Sequence, residues 1–234
     1  MIAVYMLACG YVLVVNAAAI PDAVALIFHD AFTGSAATGG FLGATIAQAM
    51  RFGVARGIFS NESGLGSAGI AAAAAQTNEP VRQALVSMTQ TFIDTIVVCS
   101  FTGIAIVATG AFTSGENGAA VTQLAFASAM PGVVGQVVIA VCLAMFAFST
   151  MIGWCYYGGR SIEYLLGIKA VMPYQVAYIV AAFMGSIYSL NFVWLFSDVM
   201  NGLMALPNLV GLLLLSGVAA RETREYLDRQ KNLP

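Results

Sequence analysis

Asn61, Glu62 and Ser63 stand side by side in Gly57-Ile58-Phe59-Ser60-Asn61-Glu62-Ser63-Gly64-Leu65-Gly66-Ser67-Ala68-Gly69, a polar island in an apolar chain. Three chemistries could use it. The tail from Gly64 to Gly69 fits the G-x-G-x-x-G fingerprint of a dinucleotide site, Ser63 could serve as a nucleophile, and a helix broken within a membrane would place the same residues around a ligand. A dinucleotide loop needs a strand before it and an acidic residue about 20 positions on. Here Ala44 to Ala55 reads as membrane helix, and Met88 stands about where the acid should be. A serine nucleophile needs a base on a neighbouring element. The sole histidine, His29, falls in a loop assigned to the outer side, whereas Ser63 falls in the inner half of its segment. The fingerprint follows from glycine and alanine abundance, and an intramembrane hydrolase is the enzyme alternative that remains.

Other polar residues stand further along the chain. Asp94 and Asp198 are costly at membrane depth, so each is a candidate for ion or substrate contact, or for tying helices together. Ser149 and Thr150 are adjacent hydroxyls in the apolar run from Phe146 to Trp154. A hard cation such as sodium prefers oxygen ligands, so these hydroxyls could hold one with help from backbone carbonyls. Equally, both could bond back to the carbonyls of Met145 and Phe146. Trp154, at i+4 from Thr150, shares its helix face. Asn201 and Asn208 with Pro207 are read as stabilising a kink. His29 beside Asp30 is read as a solvated or capping pair, and Cys9, Cys99, Cys142 and Cys155 as packing residues, because their spacing suits neither zinc nor a disulfide framework.

Composition decides what kind of scaffold must position these groups. The chain is 60% hydrophobic and 9% charged, with mean hydropathy +0.87, against roughly 25% charged in soluble domains. A soluble fold could not solvate its surface with so few charges. A polytopic membrane protein in one transmembrane domain, residues 1–234, is expected, in contact with the lipid bilayer. No nucleic-acid partner and no organic cofactor are expected, and the oligomeric state is open.

Apolar runs of the length that a roughly 30 Å hydrocarbon layer requires fall at Met1 to Ala19, Gly39 to Gln76, Val81 to Ala111, Val133 to Gly158, Ala170 to Tyr188 and Asn191 to Ala219. All read as helices. Loop chemistry separates them at Ile20-Pro21-Asp22, Thr113 to Gly118, Met130-Pro131-Gly132 and Tyr188 to Asn191. Asp22 to Phe32 and Gly118 to Ala129 carry helical spacing but are too short to span, which predicts two helices lying along the outer face. Arg82, Arg160, Lys169 and the run Arg221 to Lys231 mark one side of the membrane, and the other loops carry no Lys or Arg. The positive-inside tendency then places Met1 and the C-terminus in the cytoplasm. The basic C-terminal run, interleaved with Glu222, Glu225 and Asp228, reads as a solvated helix end.

The segment Gly39 to Gln76 is about 38 residues, or roughly 57 Å of helix, nearly twice the bilayer core. It must break or turn. Gly53 and Gly57 are the expected weak points, in a region where Arg51, Arg56, Asn61 and Glu62 need protein, water or ligand rather than lipid. On this reading Gly57, Ile58 and Phe59 form a small apolar niche for substrate. Gly64, Gly66 and Gly69 are read as a seam that lets helices approach.

Gly57 to Ala68, then Pro80-Val81-Arg82-Gln83, Phe92-Ile93-Asp94-Thr95 and Asp198-Val199-Met200-Asn201-Gly202-Leu203-Met204-Ala205-Leu206-Pro207-Asn208, resemble the alanine or glycine:cation symporter family, from about Tyr5 to Tyr226. Ala71 to Ala75 departs from relatives that carry a histidine there. The resemblance implies an all-α leucine-transporter-type inverted-repeat fold, with this chain supplying core helices 5 to 10 and the first four absent. The abrupt opening inside an apolar run agrees with missing upstream sequence, and this chain without a partner half is expected not to transport. The implied activity is sodium-coupled import of alanine or glycine by alternating access in the plasma (inner) membrane. By the same resemblance, Ser149 and Thr150 bind sodium, while Gly57, Ile58, Phe59, Thr150 and Trp154 line the substrate cavity. A membrane scaffold without transport activity is a further alternative.

Overall fold

The computed structural model describes residues 1–32 and 46–231, and every regular element among them is helical. We number the helices α1 (Ile2–Val15), α2 (Ile20–Phe32), α3 (Ile46–Ser60), α4 (Ser67–Ala72), α5 (Pro80–Ala108), α6 (Ala119–Ala129), α7 (Val134–Leu166), α8 (Val171–Ile187) and α9 (Leu190–Lys231). Among the described residues, four stretches are long and apolar enough to cross a membrane: α5, α7, α9, and α8 with the short turn before it. The pair α1 and α2 passes the same test only jointly, bent by 79°. That bend sits at Asn16, and this corrects the expected loop: Ile20-Pro21-Asp22 is helical and opens α2, because a proline in the first turn of a helix forfeits no helical hydrogen bond. The expected start of the second span, at Gly39, lies outside the described residues.

Leu212, Leu213, Leu214 and Leu215 occupy successive positions of α9 and are all exposed, Leu214 to 78%. A helix that is apolar all round needs lipid or protein on every side, which makes the chain a multi-pass membrane protein. The helix then continues through the charged run to Lys231, as a solvated end would.

The chain divides into two compact units, Met1–Val54 with Ile93–Thr150, and Ala55–Phe92 with Met151–Pro234. In the first unit, Tyr5, Cys9, Val12, Ala105, Phe126, Ile139 and Cys142 are buried against one another. Thr102 donates to the Val98 carbonyl at 2.8 Å, so its oxygen accepts the Tyr5 hydroxyl at 2.6 Å. Tyr5 also stacks on Phe126 and meets Phe146 edge-on. All four cysteines are free; Cys9 and Cys142 are packed as expected, Cys155 is partly buried, and Cys99 is exposed rather than packed. Within α5, residues Phe92–Cys99 form a π-helix, which no feature of the sequence announced.

In the second unit α3 ends at Ser60, and this corrects the expected break. The helix runs unbroken through Gly53 and Gly57. A glycine inside a helix costs only about 1 kcal/mol relative to alanine, too little to break it. The chain turns at residues 61–66 instead, where Glu62, Gly64 and Gly66 have φ of 53°, 77° and 86°.

Candidate functional site at the end of α3

The end of α3 is closed by its own turn. The Ser63 amide donates to the Ile58 carbonyl at 3.1 Å, and the Glu62 amide to the Phe59 carbonyl at 3.2 Å. This is the paired bonding of a Schellman motif, with Glu62 at the left-handed position that glycine usually takes. The Asn61 amide bonds the Gly57 carbonyl at 3.0 Å. The carbonyls of Gly57, Ile58 and Phe59 therefore all accept backbone bonds. A left-handed glutamate costs roughly 1–2 kcal/mol, which the surrounding turn must offset.

That turn is held by α9. The Asn208 side-chain amide donates to the Gly64 carbonyl at 2.9 Å, and the Asn208 Oδ1 lies 3.0 Å from where a Cβ on residue 66 would stand. Gly64 and Gly66 thus form a close-packed seam. Asn208, read from the sequence as part of a kink at Pro207, spends its amide on this loop instead. Gly69 has nothing within 4 Å of its Cβ direction and faces a groove with Ile70, Tyr156 and Arg160.

Asp198 has a partner that sequence reasoning did not name. One guanidinium nitrogen of Arg56, Nη2, lies 2.8 Å from Oδ1 and 2.7 Å from Oδ2 of Asp198, and the guanidinium sits 4.0 Å above the Trp194 ring. The pair ties α3 to α9. Two lone opposite charges within apolar segments were the available signal.

Two of the expected cavity residues meet. Phe59 stacks on Trp154 with ring centroids 5.9 Å apart and planes within 9°, and Trp154 meets Tyr157 edge-on. The side chain of Ile58 is exposed, and open space surrounds Gly57. Ser149 and Thr150 lie one turn before Trp154 on α7, both exposed. The Ser149 hydroxyl donates to the Phe146 carbonyl at 3.0 Å, a back-bond to one of the two carbonyls weighed above. His29 is exposed and bonded to Asp30 at 3.0 Å.

The elements define a class: a multi-pass helical membrane protein whose polar groups cluster at the capped end of an apolar helix. The profile of the "Sodium:alanine symporter family" matches residues 1–233. The chain belongs to that family, which comprises transporters and not enzymes. It is 52% identical over 221 residues to an "Uncharacterized transporter" of Haemophilus influenzae, covering 94% of this chain and 48% of that protein. It is 48% identical over 232 residues to the "Sodium/alanine symporter AgcS" of Methanococcus maripaludis, covering 97% and 50%. A "Sodium/proton-dependent alanine carrier protein" of a Bacillus species is 31% identical over 255 residues, covering 98% and 56%. The chain spans about half the length of these relatives.

Proposed function

We propose that this sequence serves sodium-coupled symport of alanine, glycine or a similarly small neutral amino acid across the plasma membrane, by alternating access and with the C-terminus in the cytoplasm. The observation that carries the reading is the Phe59–Trp154 stack, which joins the capped end of α3 to α7 through two aromatic faces. Family membership supports the sodium coupling, and the relatives' printed names support alanine. An inverted-repeat scaffold of the leucine-transporter type, with these residues as core helices 5 to 10, accounts for a polar turn inside an apolar segment.

Ser149 and Thr150 are the proposed sodium ligands on α7, Thr150 through its hydroxyl and Ser149 through an oxygen that already donates its proton to Phe146 and so presents lone pairs outward. Gly57, Ile58, Phe59, Thr150 and Trp154 are the proposed substrate-contacting set. Uptake of labelled alanine by a full-length protein carrying this sequence tests the reading. Trp154→Ala should lower apparent alanine affinity by about tenfold, given the roughly 0.5–1.5 kcal/mol of an aromatic pair plus lost contact area. An unchanged affinity would place the substrate elsewhere.

A further inference from the structure

We infer that Glu62 is a monovalent-cation site, separate from Ser149 and Thr150 and resting on the reading of this protein as a cation-coupled carrier. Its Oε2 is buried and has no hydrogen-bond partner. Its place in the fold makes the negative charge unfavourable twice over. It sits at the C-terminal end of α3, where the helix dipole is negative, and it belongs to an apolar segment where a charge needs a counter-ion. A bound cation removes both penalties at once. Sodium would do so by placing its positive charge on a carboxylate oxygen.

The neighbours leave that role open. Arg56 is engaged by Asp198 through Nη2 alone, its Nη1 being buried without a hydrogen-bond partner among the described residues, and Arg160 pairs with Glu163 at 2.9 Å. On α7 the titratable group beside Glu62 is Tyr157, whose hydroxyl lies within hydrogen-bonding reach of the carboxylate. On α9 the groups packed on the turn are Asn208 and Leu209, which carry no charge. A second oxygen, at the start of α4, is also uncommitted: Ser67 is 2% exposed and its hydroxyl has no hydrogen-bond partner among the described residues. The positive φ of Glu62 directs a carboxylate from a position where glycine would close the helix at lower cost.

The test uses purified full-length protein carrying this sequence, compared with Glu62→Gln and Ser67→Ala, with binding read separately from transport. If the site takes sodium, Glu62→Gln raises the half-saturating sodium concentration by at least about tenfold in equilibrium binding of labelled sodium, with pH dependence unchanged. Unmutated protein supplies a second readout that no folding defect can mimic: labelling of Glu62 by a hydrophobic carbodiimide, followed by peptide mass spectrometry. Protection by sodium but not potassium identifies a sodium site. Labelling of Glu62 indifferent to sodium, together with a Glu62→Gln protein that matches the parent in sodium half-saturation, would overturn the inference. Failure of alanine uptake alone, with Glu62 labelling still cation-protected, would count against the substrate and not against the site.

Discussion

Arg56 and Asp198 meet through a single guanidinium nitrogen that straddles both carboxylate oxygens at 2.8 and 2.7 Å, although 142 positions separate them. The pair is about one-third exposed and backed by Trp194, so it is only partly screened. Asp198→Asn should destabilise the protein by about 1–2 kcal/mol, since it leaves the arginine charge half-buried and unmatched. The exchange Arg56→Asp with Asp198→Arg should recover part of that loss. Thermal unfolding in detergent would check both, and a double variant no better than the worse single one would refute a direct tie.

Glu62→Gly should stabilise the fold by about 0.5–1 kcal/mol, because glycine accepts the left-handed backbone that glutamate adopts under strain. Transport should fall sharply in the same variant. A residue that opposes stability while serving activity is the expected mark of a functional turn. Thermal unfolding and uptake measured on one preparation would show whether the two properties separate.

Gly66→Ala should cost roughly 1–3 kcal/mol, from positive φ and from the Asn208 oxygen 3.0 Å from the added carbon. Asn208→Ala should cost about 1 kcal/mol through the lost bond to the Gly64 carbonyl. Gly57→Leu should leave thermal stability nearly unchanged, as open space surrounds that position. If it also leaves alanine affinity unchanged, Gly57 does not line the cavity.

The long apolar helices were legible in the sequence because membrane thickness and run length are the same constraint seen twice. The short helices Ile20–Phe32 and Ala119–Ala129 were legible from their helical spacing. The break in the second segment was misplaced toward Gly53 and Gly57. A glycine signals permission and not necessity, whereas the residue that turns the chain, Glu62, has a side chain that does not advertise positive φ. The Arg56–Asp198 tie was half legible: both charges demanded partners, but separation along the chain hid the match. The Phe59–Trp154 stack could be anticipated only as two members of one expected cavity.

Thr150→Val preserves shape and removes one oxygen. In a full-length protein carrying this sequence it should raise the sodium concentration for half-maximal alanine uptake by about tenfold, with the maximal rate less affected. Ser149→Ala should have the smaller effect, since that hydroxyl already donates to the Phe146 carbonyl. Uptake titrated with sodium at fixed ionic strength would separate the two.

Alanine accumulation in proteoliposomes under an imposed sodium gradient, using a full-length protein carrying this sequence, tests the central claim most directly. The account predicts uphill accumulation with sodium outside, its collapse when potassium replaces sodium, and its loss in the Trp154→Ala variant at low alanine. Alanine uptake that proceeds equally with sodium or potassium, or that Trp154→Ala leaves untouched, would contradict it.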